Sequence, residues 1–135
     1  MRVLRIAIAA LVLSGCSIGK DLPVAEAEAV RFHQLLDSGK LDETWKNTTP
    51  QFRSATPQAQ WLGLVGAVHK KLGKLRSAKT VGWNDNFNTN DHVIVLNQEA
   101  QYEHGTAQEQ FAYSIADGKA VLQEYHVNSN ALIAN

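Results

Sequence analysis

At Gly73 the hydrophobic period of this 135-residue chain changes from that of a helix to that of a strand, and this switch limits the folds open to it. Before it, Trp61, Leu64, Val65, Val68 and Leu72 form one apolar stripe at helical spacing. Lys70 and Lys71 complement the carbonyl end of that helix, and Gly73 is the residue type that tolerates the backbone just past it. After Gly73 the apolar residues alternate, most cleanly through Phe111, Tyr113 and Ile115. Helices first and strands afterwards predict an α+β chain, with N-terminal helices packed on a curved antiparallel sheet of about four strands.

The remaining elements follow from the same patterns. Ala25, Ala29, Phe32 and Leu36 predict a helix that starts at Val24 and stops at Gly39, and Leu41 to Trp45 predicts a second, short one. Thr49-Pro50 and Thr56-Pro57 each offer a capping threonine before a proline at the first helical position. Strands are expected over Leu75–Asn84, Val93–Tyr102, Ala107–Ala116 and Ala120–Val127. Asp117-Gly118 predicts a tight hairpin, His104-Gly105-Thr106 a turn, and Asn84–Asp91 a longer Asn/Asp-rich connection.

The N-terminus carries a different kind of information. Arg2 and Arg5, the uncharged apolar run Ile6–Leu13, and the small residues before Cys16 are the parts of a secretory signal. The run is too short for a spanning helix, which needs roughly 20 residues. Leu13-Ser14-Gly15-Cys16 resembles the lipobox of bacterial lipoproteins, in which the cysteine is acylated and becomes the new N-terminus. The resemblance implies a signal peptide over residues 1–15, a lipidated tether over 16–23 and one α+β domain over 24–135. It implies membrane attachment through lipid on Cys16. Ser17, where an aspartate would favour the inner membrane, implies an outer-membrane lipoprotein facing the periplasm.

Cleavage would remove two of the 13 basic residues and leave 11 against 13 acidic ones. The mature chain would be mildly acidic, without the basic face that nucleic acid needs, so no nucleic-acid partner is expected. Cys16 is the one cysteine, so its acylation would leave no thiol for disulfides or catalysis.

Leu36-Asp37-Ser38-Gly39-Lys40-Leu41 running into Trp45, Phe52-Arg53, the helix from Trp61 to Gly73, and the terminal strand Glu124-Tyr125-His126-Val127 carry a second resemblance. In this order they resemble the nuclear transport factor 2-like superfamily, a cone in which a curved antiparallel sheet wraps a long helix. The resemblance covers about Val24 to Leu132 and is narrower towards small secreted bacterial members of unknown function. It implies a wide mouth able to hold a ligand pocket or a dimer contact.

Phosphate-loop, dinucleotide, serine-elbow and zinc-protease motifs are absent from the sequence. Superfamily enzymes such as steroid isomerases pair a carboxylate base with a tyrosine or acid donor in an apolar pocket. By that resemblance Asp37, Glu109 and Glu124 are candidate bases, and Tyr102, Tyr113 and Tyr125 candidate donors. Trp45 and Trp83 are candidate ligand contacts. The candidate pocket is therefore Trp45, Trp83, Tyr102, Tyr113, Asp37 and Glu109. His69, His92, His104 and His126 are scattered, and the alternation of Asn84, Asn86 and Asn88 lacks the carboxylates of a calcium loop, so neither metal nor cofactor is expected. The leading expectation is a non-catalytic domain that binds a small apolar ligand or an envelope protein. A carboxylate/tyrosine acid-base enzyme and a structural or homodimerising module are the alternatives.

Overall fold

The computed structural model describes residues 19–133; the expected signal peptide and Cys16 lie outside the described residues. Four helices come first: α1 (Leu22–Asp37), α2 (Leu41–Lys46), α3 (Pro50–Ala55) and α4 (Gln58–Leu72). Four strands follow, β1 (Leu75–Phe87), β2 (His92–Tyr102), β3 (Gly105–Ala116) and β4 (Lys119–Asn128), then a terminal turn of helix, α5 (Asn130–Ile133). The strands form one antiparallel meander in the order β1-β2-β3-β4. The chain is thus α+β, with helices packed on a four-stranded open sheet in a cone-like arrangement.

Two local expectations are corrected. The helix expected from Val24 begins two residues earlier, at Leu22, and takes Pro23 into its first turn. Proline fits there because the missing N–H would have had no helical partner. Of the two Thr-Pro pairs only the first acts as foreseen, with the Thr49 hydroxyl accepting from the Phe52 N–H at 3.2 Å. Pro57 has ψ near 143°, outside the helical region, so it stands before α4, and Thr56 closes α3 instead.

The strands run longer than their alternation suggested. β1 extends to Phe87 because Asn84 and Asn86 pair with Val95 and Val93, leaving a tight turn closed by the Asn88 side chain. Asp117 and Gly118 both take positive φ, as a two-residue hairpin requires.

The core sits between α1, α4 and the inner face of the sheet. Phe32 meets the edge of Phe111 at 5.3 Å and lies 4.8 Å from Tyr125, and Trp61 abuts Tyr125 at 5.9 Å. Trp61 and Phe111 are fully enclosed. The inner face follows strand parity, through Ile94, Leu96 and Ala100 of β2 and Ala107, Phe111, Tyr113 and Ile115 of β3. An irregularity in the pairing, with Ala112 opposite Glu124 and Tyr113 opposite Leu122, leaves Gln123 as an extra residue and turns Tyr125 inward.

Candidate functional site

Strand parity places a glutamate on the inner face of β3. Glu109 lies between Ala107 and Phe111 on β3, and its side chain has no exposed surface. An ionised group taken out of water must be met by hydrogen bonds or opposite charge. Three elements supply donors. The His33 ring of α1 donates from Nε2 to Oε1 at 2.8 Å. Tyr102 of β2 and Tyr125 of β4 donate their hydroxyls to Oε2 at 3.0 and 2.5 Å. Burial, and after it the neighbouring Glu109 charge, pushes the Tyr102 and Tyr125 phenols well above the ordinary tyrosine range. Both stay protonated as donors.

This arrangement has the parts of an acid–base site without access to it. Both carboxylate oxygens are occupied by protein donors, and no substrate atom can reach a side chain that has no surface. The other sequence candidates do not converge on Glu109. Asp37, at the end of α1, accepts from the Leu75 N–H at 3.3 Å and lies 3.8 Å from His69. Glu124 points outward and is mostly exposed. Trp45 donates its indole N–H to the Thr56 carbonyl and packs against the core. Trp83 is partly exposed on β1, its ring against Gly19. Tyr113 is buried, but its hydroxyl has no partner.

The expected set of six is therefore divided: Tyr102 and Glu109 meet, and Trp45, Trp83, Tyr113 and Asp37 lie elsewhere. Sequence reasoning missed His33 as the partner of Glu109, although a signal existed. His33 stands four residues after Ala29 and three before Leu36, on the apolar face of α1.

Accessible space lies outside the aromatic core. A groove of about 670 Å³ runs between α3, α4 and β4, with Phe52, Trp61, Leu64 and Tyr125 among its walls. Leu64, which the apolar stripe placed in the core, is 42% exposed and faces this groove. Gln60, Gln123, His126 and the carboxylates of Asp91 and Glu124 are among the polar side chains that line it.

A further polar cluster holds the start of the described chain. Asp85 of β1, its side chain 2% exposed, accepts from the Gly19 N–H at 3.1 Å and from His92 Nε2 at 2.6 Å. The other ring nitrogen of His92 is 3.9 Å from Asp21, and Phe87 stacks on the imidazole at 3.9 Å.

A helical layer over one face of an antiparallel meander, a sealed carboxylate and open grooves beside the sheet define a class: a small α+β fold with a buried polar centre and open grooves, one of which shares Tyr125 with that centre. Within that class, the chain belongs to DUF4019, a family of proteins of unknown function, which it matches over residues 28–125. That span runs from the middle of α1 into β4 and includes His33, Tyr102, Glu109 and Tyr125. No curated protein matches the chain.

Proposed function

We propose that the protein is a lipid-anchored protein of the bacterial envelope whose nuclear transport factor 2-like domain binds a small apolar ligand without transforming it. The observation that carries this reading is the groove between α3, α4 and β4. It has the volume of a small-molecule site, and its lining sets the aromatic and aliphatic surface of Phe52, Trp61, Leu64 and Tyr125 among polar side chains that include Asp91 and Glu124. Leu64 is an apolar side chain left partly in water on a helix that buries Trp61, Val65, Val68 and Leu72, and a ligand would cover it. The full occupancy of Glu109 argues against the carboxylate/tyrosine enzyme, because a substrate would first have to displace three hydrogen bonds.

Attachment through Cys16 is supported by the lipobox-like sequence. Native mass spectrometry of the full chain released from membranes tests both parts. The wild type should carry a diacylglyceryl-type mass on Cys16 and a co-purified apolar molecule, which Leu64→Arg should lose. An unmodified cysteine would overturn the anchor, and an empty groove in both proteins would overturn the ligand.

The dimerising alternative has an observation of its own. The edge strand β1 exposes Val81, Trp83 and Phe87, the kind of edge that recruits another strand. Sedimentation of the full chain in detergent separates it from the leading reading.

A further inference from the structure

A second open cleft, of about 550 Å³, lies between α1, the end of α2 and the β3–β4 hairpin. Its charged lining is Glu28, Arg31, Lys46 and Lys119, three cations against one carboxylate. Glu28, Arg31 and Asn47 also line a much smaller chamber of about 20 Å³, whose other walls include Tyr113 and the apolar Phe32 and Leu122. A chamber of that size holds about one oxygen atom or one water.

Two buried polar atoms of residues lining this chamber have no partner among the described residues: the Tyr113 hydroxyl and Asn47 Nδ2. Tyr113 itself is 2% exposed. Buried polar groups in folded proteins are nearly always hydrogen-bonded, so two orphans in one chamber call for an occupant. An amide nitrogen can only donate, and a phenol donates readily. The atom that satisfies both is an acceptor oxygen.

The charged side chains of the chamber and the cleft select its chemistry. Arg31 presents the planar fork that matches a two-oxygen anion. Lys46 is held by Asp42 at 3.3 Å, a closer contact than that of Arg31 with Glu28, so Arg31 and Lys119 are the cations freer to meet the ligand. Glu28, 3.9 Å from Arg31, offsets part of that positive charge and so favours a monoanion over a phosphate dianion. Val24 and Val121 add apolar surface to the outer cleft.

We propose that this cleft binds a small aliphatic carboxylate. One carboxylate oxygen enters the chamber to accept from Asn47 and Tyr113, the other faces Arg31, and the aliphatic part lies in the outer cleft. The carboxylate belongs either to a free short-chain acid or to a fatty acid supplied by the bilayer.

The test is a nuclear magnetic resonance titration of the full chain in non-ionic micelles, read at the Tyr113 ring and the Arg31 guanidinium. Sodium butyrate represents the free acid and oleate the bilayer source; butyramide and inorganic phosphate are the controls. Saturable shifts with butyrate, oleate or both, and none with the controls, support the proposal and identify the source. Tyr113→Phe and Arg31→Gln should each weaken binding about tenfold, the effect of losing one hydrogen bond to a charged group. Tyr113→Phe removes a hydroxyl that bonds to nothing among the described residues, so it should unfold at the wild-type temperature or above. Leu64→Arg, in the other groove, should leave the titration unchanged. No saturable shift with either acid, the result for a chamber that holds water alone, overturns the proposal. So does phosphate binding as tightly as butyrate, or unchanged binding by Tyr113→Phe.

Discussion

Glu109 shows how much one side chain can organise in a chain of this size. Its carboxylate gathers donors from α1, β2 and β4, so a helix distant in sequence and the two strands that flank β3 converge on it. Glu109→Ala would leave those donors buried and unpaired, and should destabilise the protein by about 3–5 kcal/mol. Glu109→Gln keeps the shape and one acceptor oxygen, and a phenol can rotate to accept from the new amide, so it should lose only about 1–2 kcal/mol. Urea denaturation of the two variants measures the difference; equal losses would show that the cluster contributes packing alone. Part of this site was legible in the sequence. Parity on β3 placed a glutamate among inward residues, and helical spacing placed His33 on a buried stripe, and each position demands a partner. That the two demands answer each other was not legible, because the residues are 76 positions apart and nothing local encodes the pairing.

Among the elements, the join at Gly73 carries the sharpest constraint. Its φ of 77° and ψ of −156° fall in a region that only glycine occupies, and an added Cβ would stand 3.0 Å from that of Glu103. Gly118, in the β3–β4 turn, has φ 71° but open space around it. Gly73→Ala should therefore destabilise by about 2–3 kcal/mol and Gly118→Ala by about 1 kcal/mol, as thermal unfolding of both variants would measure. The elements themselves were readable because period is a local property, and the switch at Gly73 divided helices from strands correctly. Their ends were less so. β1 runs through Asn84 and Asn86, poor strand formers that the ladder with β2 holds in place. Leu64 kept the helical stripe but met a groove, since periodicity gives the direction a residue faces and says nothing of whether the neighbour there is close.

At the scale of the whole molecule, burial of the chain's three tyrosines links its stability to alkaline pH. Burial is the first cause that raises each phenol, and the Glu109 charge adds to it in all three. A group whose folded pKa lies above its unfolded one stabilises fully below the unfolded value, near 10 for tyrosine, and loses that contribution as pH rises beyond it. The unfolded chain gives up protons that the folded chain keeps, so stability should fall above about pH 10, by up to ~1.4 kcal/mol per pH unit for each tyrosine. Absorbance at the tyrosinate band should stay flat until the protein unfolds and then rise for all three together. A gradual rise in the folded protein would place at least one phenol in contact with water.

The grip on Gly19 has a consequence for how such a molecule would sit in a cell. Its N–H is held by Asp85, and its backbone lies so close to the Trp83 ring that an added Cβ would come within 2.8 Å. With lipid on Cys16, as proposed, only three residue steps separate the anchor from this fixed point, at most about 11 Å of chain. The domain would then be mounted rather than leashed. The end of the sheet where β1 turns into β2 would rest against the bilayer with little freedom to swivel, and strand β1 would set which way the rest of the molecule faces.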